Sequence, residues 1–375
     1  MALTQAYNLN PRVKRKTLLL FGIESDYGIF KTGMTVADNA IQVEDVDFKY
    51  SSNNQKRNVL RPYLGGLEEL VGDDSIDLSF TVEAGGGFTS ESTTEIPIVR
   101  YHDLFRACGM VQTELAKNTT SGQIGARKFV PTSVQSNGIG SYNSCSFIFA
   151  VDGVRYLAYG GRGSWELDLT HGQVPKFKFT FTCLFDGGVA TQTFNLPEYQ
   201  AQAAPYLVQN TTSRALFATG SSGAAAQATM NWLSGRLAAA TSNWTEYGNK
   251  GLSLSFGNKV QFQPMLGQNR VLITDREVTG KVTLDLSAED ENDLMAMVRA
   301  NNTRSLGFEH GLSGGSIIKN NYMAIYAPKV QLINPSHTDQ DGISMCSYDA
   351  RLMTVDRVDD QSDNYGDNEL ALFFA

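Results

Sequence analysis

The stretch SFIFAVDGVRYLAYGGRGSWELDLTHGQVPKFKFTFTCLF, residues 146–185, indicates a fold built from β-strands. Asp152 and Gly153 accept the positive φ angles of a two-residue turn, so the first part predicts a β-hairpin. After Pro175 the residues alternate strictly between apolar and polar. The apolar positions of that strand are Phe177, Phe179, Phe181 and Cys183. This alternation predicts a strand that is buried on one face only.

Outward from this stretch, the same succession of elements occurs in each half of the chain. In the first half it comprises VDFKYS (46–51), RPYLGG (61–66), SIDLSFTVEA (75–84), the amphipathic YHDLFRACG (101–109) and the strands of residues 146–185. In the second half it comprises LSLSFGN (252–258), QPMLGQ (263–268), VTGKVTLDLSAED (278–290), DLMAMVRANN (293–302) and strands up to about Asp356. Order and spacing agree better than residue identity. A duplicated β unit with one helix indicates a chain that supplies two equivalent blocks to a symmetric ring.

The duplication sets the predicted domain organisation, because 375 residues exceed the usual size of one domain. The predicted parts are an N-terminal arm (1–45), a first β domain (46–190), a connector (191–247), a second β domain (248–358) and a C-terminal tail (359–375). Within the connector, residues 225–240 predict a short helix. Residues 335–342 are expected to form the loop of a hairpin in the second domain. The chain closes on the apolar LALFFA (370–375), which we expect a neighbouring subunit to bury.

Composition and charge exclude several classes of protein. Thirty-five glycines against ten prolines, with 42% hydrophobic residues, fit many strands joined by tight turns. A formal charge of -8 argues against gripping nucleic acid through its phosphates, although nucleic acid could still pass without being held. The four cysteines lack any C-x-x-C spacing, which predicts free thiols and synthesis in a reducing cytoplasm. No export signal is recognised, and no stretch approaches the roughly 18 apolar residues that span a bilayer.

Motifs for catalysis or metal binding fail on inspection. GLSGG, residues 311–315, matches a nucleophile elbow around Ser313, but the strand-like segment that follows replaces the helix which that motif requires. A calcium loop beginning at His337 lacks acidic ligands at its first and twelfth positions. The four histidines show no metal-ligand spacing and are interpreted as surface or turn residues. The sequence therefore predicts no catalytic residues, no cofactor and no metal ligands.

Several of these segments together resemble the major tail tube proteins of long-tailed (siphovirus-like) bacteriophages, of the two-domain kind. The segments are KTLLLFGIESDYG (16–28), LRPYLGG (60–66), DSIDLSFTVEAGG (74–86), HDLFRACGM (102–110) and the run from Asp152 to Phe185. The second half, from LSLSFGN to VTGKVTLDL, is similar to the second tube domain of such proteins. The resemblance covers most of the chain from about residue 16 to about residue 356, but not the connector of residues 200–247. It implies a mainly β fold of two tandem sandwich or barrel domains, each with one flanking helix, whose strands join neighbouring subunits in a ring.

The leading hypothesis is a structural subunit of the virion tail tube, which self-assembles into stacked rings and forms the conduit for DNA ejection. Its partners would be further copies of itself, the tape measure, tip and terminator proteins of the tail, and DNA that passes without specific binding. A competing hypothesis is a tandem β-sandwich binding module of a tail tip or capsid surface that recognises a receptor or a carbohydrate. An esterase using Ser313 is the third. No membrane anchor is expected.

Two sets of residues are predicted to serve assembly. Two domains per chain predict a trimeric ring with pseudo-sixfold symmetry. The long connection of residues 51–74 carries both bases and acids and is predicted to contact the next ring, or else to be a solvated surface loop: Lys56, Arg57, Arg61, Glu68, Glu69, Asp73 and Asp74. The channel wall is predicted to be acidic or neutral, because lysines and arginines would trap phosphates. The candidate lumen-facing residues are Asp77, Glu83, Glu166, Asp168 and Asp285. An acidic outer surface that aids solubility is the alternative.

Overall fold

The computed structural model describes residues 13, 15–62, 66–85, 100–115, 125–133, 143–191, 204–218, 244–313, 316–318, 321–340, 342–354 and 368–375. Its fold is mainly β, as the sequence predicts. The elements of the first half are β1 (Thr17–Ile23), α1 (Val36–Asn39), β2 (Ala40–Ile41), β3 (Glu44–Ser52), β4 (Gln55–Lys56), β5 (Glu69–Leu70), β6 (Asp74–Glu83), α2 (His102–Ala107), β7 (Met110–Leu115), β8 (Ala126–Pro131), β9 (Cys145–Val151), β10 (Val154–Thr170) and β11 (Lys176–Thr191).

The second half repeats much of this succession. Its elements are β12 (Ser213–Ala218), β13 (Trp244–Glu246), β14 (Gly248–Ser255), β15 (Asn258–Gln263), β16 (Arg270–Arg276), β17 (Thr279–Asp285), α3 (Ala288–Arg299), β18 (Thr303–His310), β19 (Leu312–Ser313), β20 (Ser316–Ile317), β21 (Met323–Gln340), β22 (Ile343–Leu352) and β23 (Ala371–Phe374). α3 begins at a capped end, because the Ser287 hydroxyl accepts a hydrogen bond from the Asp290 amide. The helix predicted for residues 225–240 lies outside the described residues.

The local predictions for residues 146–185 are confirmed. Val151 of β9 pairs with Val154 of β10 across a turn in which Asp152 has φ 42° and Gly153 has φ 89°. Two consecutive positive φ angles give the turn a twist that matches the flanking strands. The apolar positions of β11 are fully buried: Phe177, Phe179, Phe181 and Cys183. Their burial follows from the period of two along a strand, which sends alternate side chains to one face.

One antiparallel sheet runs through both halves of the chain. Its strands lie in the order β3, β6, β11, β10 and then β14, β17, β22, β21. The two halves join where residues 166–170 of β10 pair with residues 251–255 of β14. Further pairings link β10 to β9, β1 and β2, and link β21 to β18, β12 and β13. Among the described strands no series of pairings returns to its start, so the chain alone does not close a barrel.

The core is a cluster dominated by aromatic rings that draws on both halves. α2 contributes Phe105, which packs edge-on to Trp165 and Phe177 at centroid distances of 5.7 and 5.1 Å. Trp165 in turn stacks on Phe256, which follows β14, at 5.1 Å. Burying each ring removes a large apolar area from water and contributes roughly 1.5–3 kcal/mol. The packing between halves is therefore part of the main core.

The C-terminal strand corrects the expectation that a neighbouring subunit buries LALFFA. β23 lies between β8 of the first half and β21 of the second, and Leu372 pairs with Phe129 on one side and Ile325 on the other. Residues 370–375 are all buried within their own chain. The strand supplies the missing edge partner of both neighbours, which removes two exposed edges at once. The C-terminal strand therefore joins the two halves within one chain.

The N-terminal segment is also built into the fold where it is described. β1 pairs with β9 over seven residues, and Leu19 and Leu20 are fully buried. Glu24, just after β1, is 1% exposed and accepts hydrogen bonds from Ser144 Oγ (2.6 Å), Ser146 Oγ (2.7 Å) and the amides of Gly28 and Gly160 (3.0 and 2.7 Å). A buried carboxylate needs such donors to offset its desolvation. Its own chain therefore holds the described part of this segment in place.

The predicted loop at residues 335–342 is largely strand. Residues 336–340 of β21 pair with 343–347 of β22, so both sides of the predicted loop are strand. Pro335 interrupts the sequence pattern but lies at a bulge, where the register shifts between Ile333 and Ser336 and Asn334 has φ 52°. A proline is tolerated at a bulge because its missing N–H does not remove a ladder hydrogen bond. The hairpin therefore projects beyond the rest of the sheet.

Candidate functional site

Polar side chains cover one face of the sheet that runs through both halves. Two cross-strand rows follow the register from β6 to β22. The first row contains Thr81, Lys178, Glu166, Ser255, Thr279 and Arg351; the second contains Glu83, Lys176, Asp168, Ser253, Lys281 and Asp349. The opposite face of the same strands packs into the core. The result is a continuous polar surface with an apolar back.

Charges of both signs alternate across this polar face. The two rows together contain four acidic and four basic residues. Lys178 lies 3.7 Å from Glu166, and Lys176 Nζ lies 2.6 Å from Glu44 Oε2. The hydrogen bond to Glu44 raises the pKa of Lys176. These pairs are solvent-exposed, so each contributes at most about 1 kcal/mol to stability, but they neutralise one another's charge locally.

All five candidate lumen-facing residues lie on this polar face. Glu83, Glu166 and Asp168 belong to the two rows. Asp77 of β6 accepts a hydrogen bond from Thr182 Oγ1 at 3.0 Å, and Asp285 of β17 is exposed opposite Gly248. The sequence showed that lysines alternate with apolar residues in β11. It did not show which acidic residues on the neighbouring strands these lysines face. That this face lines a channel stays a prediction.

The strand order of the sheet repeats between the halves. β3, β6, β11 and β10 of the first half correspond in order and direction of pairing to β14, β17, β22 and β21 of the second. α2 and α3 occupy the same place in the succession, after β6 and β17. The last strand of the first set pairs with the first strand of the second set. Two equivalent four-strand blocks are therefore joined end to end.

The comparison with known families agrees with this architecture. A family model described as phage tail tube protein matches residues 14–350, which is nearly the whole chain. The chain belongs to the phage tail tube protein family. This family is structural, and its members are components of the virion tail. No curated protein matches the chain significantly.

In this tail tube protein the predicted inter-ring residues form a small hairpin beside the sheet. β4 pairs with β5, Lys56 lies 3.8 Å from Glu69, and Arg57 lies 2.8 Å from Glu68. Asp74 accepts a hydrogen bond from the Tyr50 hydroxyl. Arg61 and Asp73 are exposed. Apolar side chains are exposed around these charges: Val59 (57%), Leu60 (98%), Leu70 (54%) and Val71 (73%).

A second exposed tip lies beside this hairpin and was not among the predicted contact residues. The turn between β15 and β16 exposes Met265 (49%) and Leu266 (106%). Asn269 from the same turn donates a hydrogen bond to Asp73 Oδ1 at 2.9 Å. The sequence feature that could have indicated this tip is the similarity of RPYLGG to QPMLGQ, which places the two turns at corresponding positions in the two halves. Together the tips form one surface, which we call the tip surface (residues 55–62, 66–71 and 265–269).

The alternative chemistries of the sequence receive no support from the described residues. Ser313 lies in β19, which pairs with β20 as a two-stranded hairpin instead of leading into a helix. The four cysteines are buried and unpaired, and burial raises the pKa of the Cys108, Cys145 and Cys183 thiols well above its usual value. Such thiols are unreactive at neutral pH. Within the described part of the chain, no helix is long and apolar enough to cross a membrane.

Proposed function

We propose that this tail tube protein is a self-assembling ring subunit, and that three chains form a pseudo-sixfold ring. Rings then stack into the conduit through which DNA leaves the capsid. The observation that carries the proposal is the end-to-end junction of β10 with β14 between two equivalent blocks. One chain thereby contains a copy of the contact that would join it to the next chain.

The outer edges of the sheet support ring closure. β3 pairs with β6 alone among the described strands, and residues 336–339 of β21 are exposed and pair with β22 alone. Pairing β21 of one copy with β3 of the next would reproduce the contact of β10 with β14. A repeated head-to-tail contact closes into a ring when its rotation allows, and closure removes edges that would otherwise aggregate. Six equivalent blocks require three chains.

The first prediction concerns this junction. Cysteines introduced at Asp47 of β3 and Ser336 of β21 lie on the polar face at opposite edges of the sheet. The double variant Asp47→Cys with Ser336→Cys should form disulfides between chains on oxidation, because paired strands bring Cα atoms to about 5.5 Å. Non-reducing gels should show covalent dimers and trimers. Native mass measurement of unmodified rings should give three chains of 41.0 kDa.

Either single-cysteine variant is the control and should give no ladder beyond the dimer. A set of neighbouring pairs, Glu44→Cys or Asp47→Cys with Ser336→Cys or Thr338→Cys, covers a shift of register by two residues. Rings of six chains, or a protein that remains monomeric in solution and in electron micrographs, would contradict the proposal. Monomers would favour the alternative of a receptor- or carbohydrate-binding module.

Stacking of rings is assigned to the tip surface. Its exposed leucines and valines need an apolar partner, and its charged pairs, Lys56 with Glu69 and Arg57 with Glu68, can exchange partners with a facing ring. Deleting residues 55–58 should leave soluble rings that do not form tubes in electron micrographs. Lys250→Ala, at an exposed site outside the tip surface, is the control and should form tubes. Normal tubes from the deletion would disprove this assignment.

The polar face is proposed to line the channel. Its four acidic and four basic residues alternate instead of forming a continuous row of lysines along which phosphates could bind, and the exposed Asp47 and Asp285 add negative charge at its margins. Duplex DNA would therefore slide past without a deep binding well. Isolated rings should not retain duplex DNA at 0.15 M salt. Lys substitutions at Glu166 and Asp168 should introduce binding that weakens as salt rises, whereas Lys at exposed Glu289 of α3 should not.

The proposed partners of the assembled tube are the tape measure, tip and terminator proteins of the tail. These proteins would contact the first and last rings, where the tip surface or its complement lacks a stacked neighbour. Synthesis in the cytoplasm of the bacterial host agrees with four buried free thiols.

A further inference from the structure

One helix and one hairpin of the second half bring three metal-binding side chains together. They are Glu291 of α3, His337 of β21 and Cys346 of β22, and their ligand atoms all lie within 4.8 Å of one another. His337 and Cys346 are directly paired across the hairpin, so both side chains extend from the same face. Nε2 of His337 lies 2.8 Å from Oε1 of Glu291. The cluster is outside the polar face and the tip surface.

The donor set matches a particular class of cation. A thiolate sulfur, an imidazole nitrogen and a carboxylate oxygen are the three ligand types that Zn²⁺ accepts in a tetrahedral site. Ca²⁺ and Mg²⁺ require oxygen ligands, so the sulfur and nitrogen disfavour them. Cys346 is buried, whereas the side chains of Glu291 and His337 are 33% and 58% exposed. The cluster therefore has a buried soft ligand at its base and an opening to solvent.

An unpaired hydroxyl beside the cluster is a second and independent observation. Tyr348 lies two residues beyond Cys346 in β22, so it extends from the same face, and only 1% of it is exposed. Its hydroxyl has no hydrogen-bond partner among the described residues. Cys346 and Glu291 are close enough to Tyr348 to act on it electrostatically. A buried hydroxyl without a partner is costly, and a water bound to a cation in the cluster would supply one.

We propose that Glu291, His337 and Cys346 bind one zinc-class divalent cation, with a water molecule in the fourth position near the Tyr348 hydroxyl. The cation would fasten α3 to the β21–β22 hairpin. On binding, the Cys346 thiol loses its proton to the solvent as the metal–sulfur bond forms, and the hydrogen bond between His337 and Glu291 is replaced by two metal bonds. One proton is released per cation at neutral pH, because the sulfur binds the metal as a thiolate.

No sequence motif indicated this site, for a physical reason. Metal motifs are recognisable when ligands share one helix or one turn, which fixes their spacing. Here the carboxylate and imidazole are 46 residues apart and meet only because α3 packs on the hairpin. The interpretation of His337 as an ordinary surface residue, and of the chain as lacking metal ligands, is replaced by this proposal.

Spectroscopic titration of the full chain tests the site. After treatment with a chelator and a reductant, the protein is titrated with Co²⁺, and a thiolate-to-cobalt charge-transfer band should appear and saturate at one equivalent. Zn²⁺ should abolish the band by displacement. Cys346→Ser should lack the band. His337→Ala, at an exposed position that does not endanger the fold, should weaken Zn²⁺ binding by at least about tenfold. His171→Ala, another exposed histidine, is the matched control and should bind as the unmodified chain does.

Three results would overturn the proposal. The unmodified chain could show no charge-transfer band, the band could persist in Cys346→Ser, or His337→Ala could bind Zn²⁺ as tightly as His171→Ala. Near-ultraviolet circular dichroism of each variant confirms that it is folded before titration. None of these readouts depends on whether rings or tubes form, so the site and the assembly function can fail separately.

Discussion

Replacing Phe374 by alanine is expected to destabilise the fold by about 3–5 kcal/mol, because the large ring is removed from a close-packed core. Phe374 is 4% exposed and belongs to the C-terminal strand that joins the two halves. Its ring centroid lies within 6.3 Å of five others: Tyr101, His102, Phe105, Phe129 and Phe177. The resulting cavity would border both β8 and α2, which cannot easily collapse into it.

Denaturant unfolding at neutral pH measures this change. Phe374→Leu keeps part of the apolar volume and should cost clearly less than Phe374→Ala. Leu266→Ala, at a fully exposed side chain of the tip surface, is the control and should change the free energy of unfolding by less than about 0.5 kcal/mol. A Phe374→Ala variant as stable as Leu266→Ala would show that the C-terminal strand does not hold the two halves together.

Acidification from pH 6.5 to pH 4 is expected to destabilise the protein strongly through two buried histidines. Burial lowers the pKa of His102 well below its usual value, and the charge of Arg127 lowers it further. Burial also lowers the pKa of His310 to about 4. Both ring nitrogens of His102 lack partners among the described residues, and His310 Nδ1 lies 2.8 Å from Ser213 Oγ. In both environments burial disfavours the charged ring, and for His310 burial outweighs a hydrogen bond with the Tyr206 backbone that favours the charged form.

The direction follows from proton linkage. In the unfolded chain each histidine binds a proton near pH 6.5, whereas in the folded chain it stays neutral to a lower pH. The unfolded state therefore binds more protons between these values, and stability falls as pH falls through this window. For His310 alone the shift corresponds to a loss on the order of 3 kcal/mol by pH 4. Well above pH 6.5 this loss of stability is absent, because the histidine is neutral in both the folded and the unfolded chain.

Comparison of variants separates these histidines from the carboxylates, which also titrate in acid. His102→Phe places an apolar ring among Phe129, Phe374 and Tyr101 and should reduce the pH slope of the unfolding free energy by up to about 1.4 kcal/mol per pH unit. His171→Asn, at an exposed site, should leave the slope unchanged. Equal slopes for His102→Phe and the unmodified chain would contradict the prediction.

The sequence by itself determined the elements whose physics is local. Strict alternation in KFKFTFTCLF set the buried face of β11, and Asp152 with Gly153 set the turn of its hairpin, because period and backbone freedom are properties of neighbouring residues. The order of elements in each half indicated the duplication, and the resemblance of several segments indicated the tail tube family. Five acidic residues assigned to a common surface do lie on one face, since each occupies an alternate position of its strand that faces away from the core.

Only the tertiary structure decided which distant strands meet. The apolar end of the chain predicted burial but not its location, and the structure buries it between β8 and β21 of the same chain. The lysines that neutralise the acidic face, the second exposed tip and the cluster of Glu291, His337 and Cys346 likewise depend on pairings between residues far apart in sequence. An apolar strand can pair with any open strand edge. Which edge it joins depends on the packing of the whole core, which no local pattern encodes.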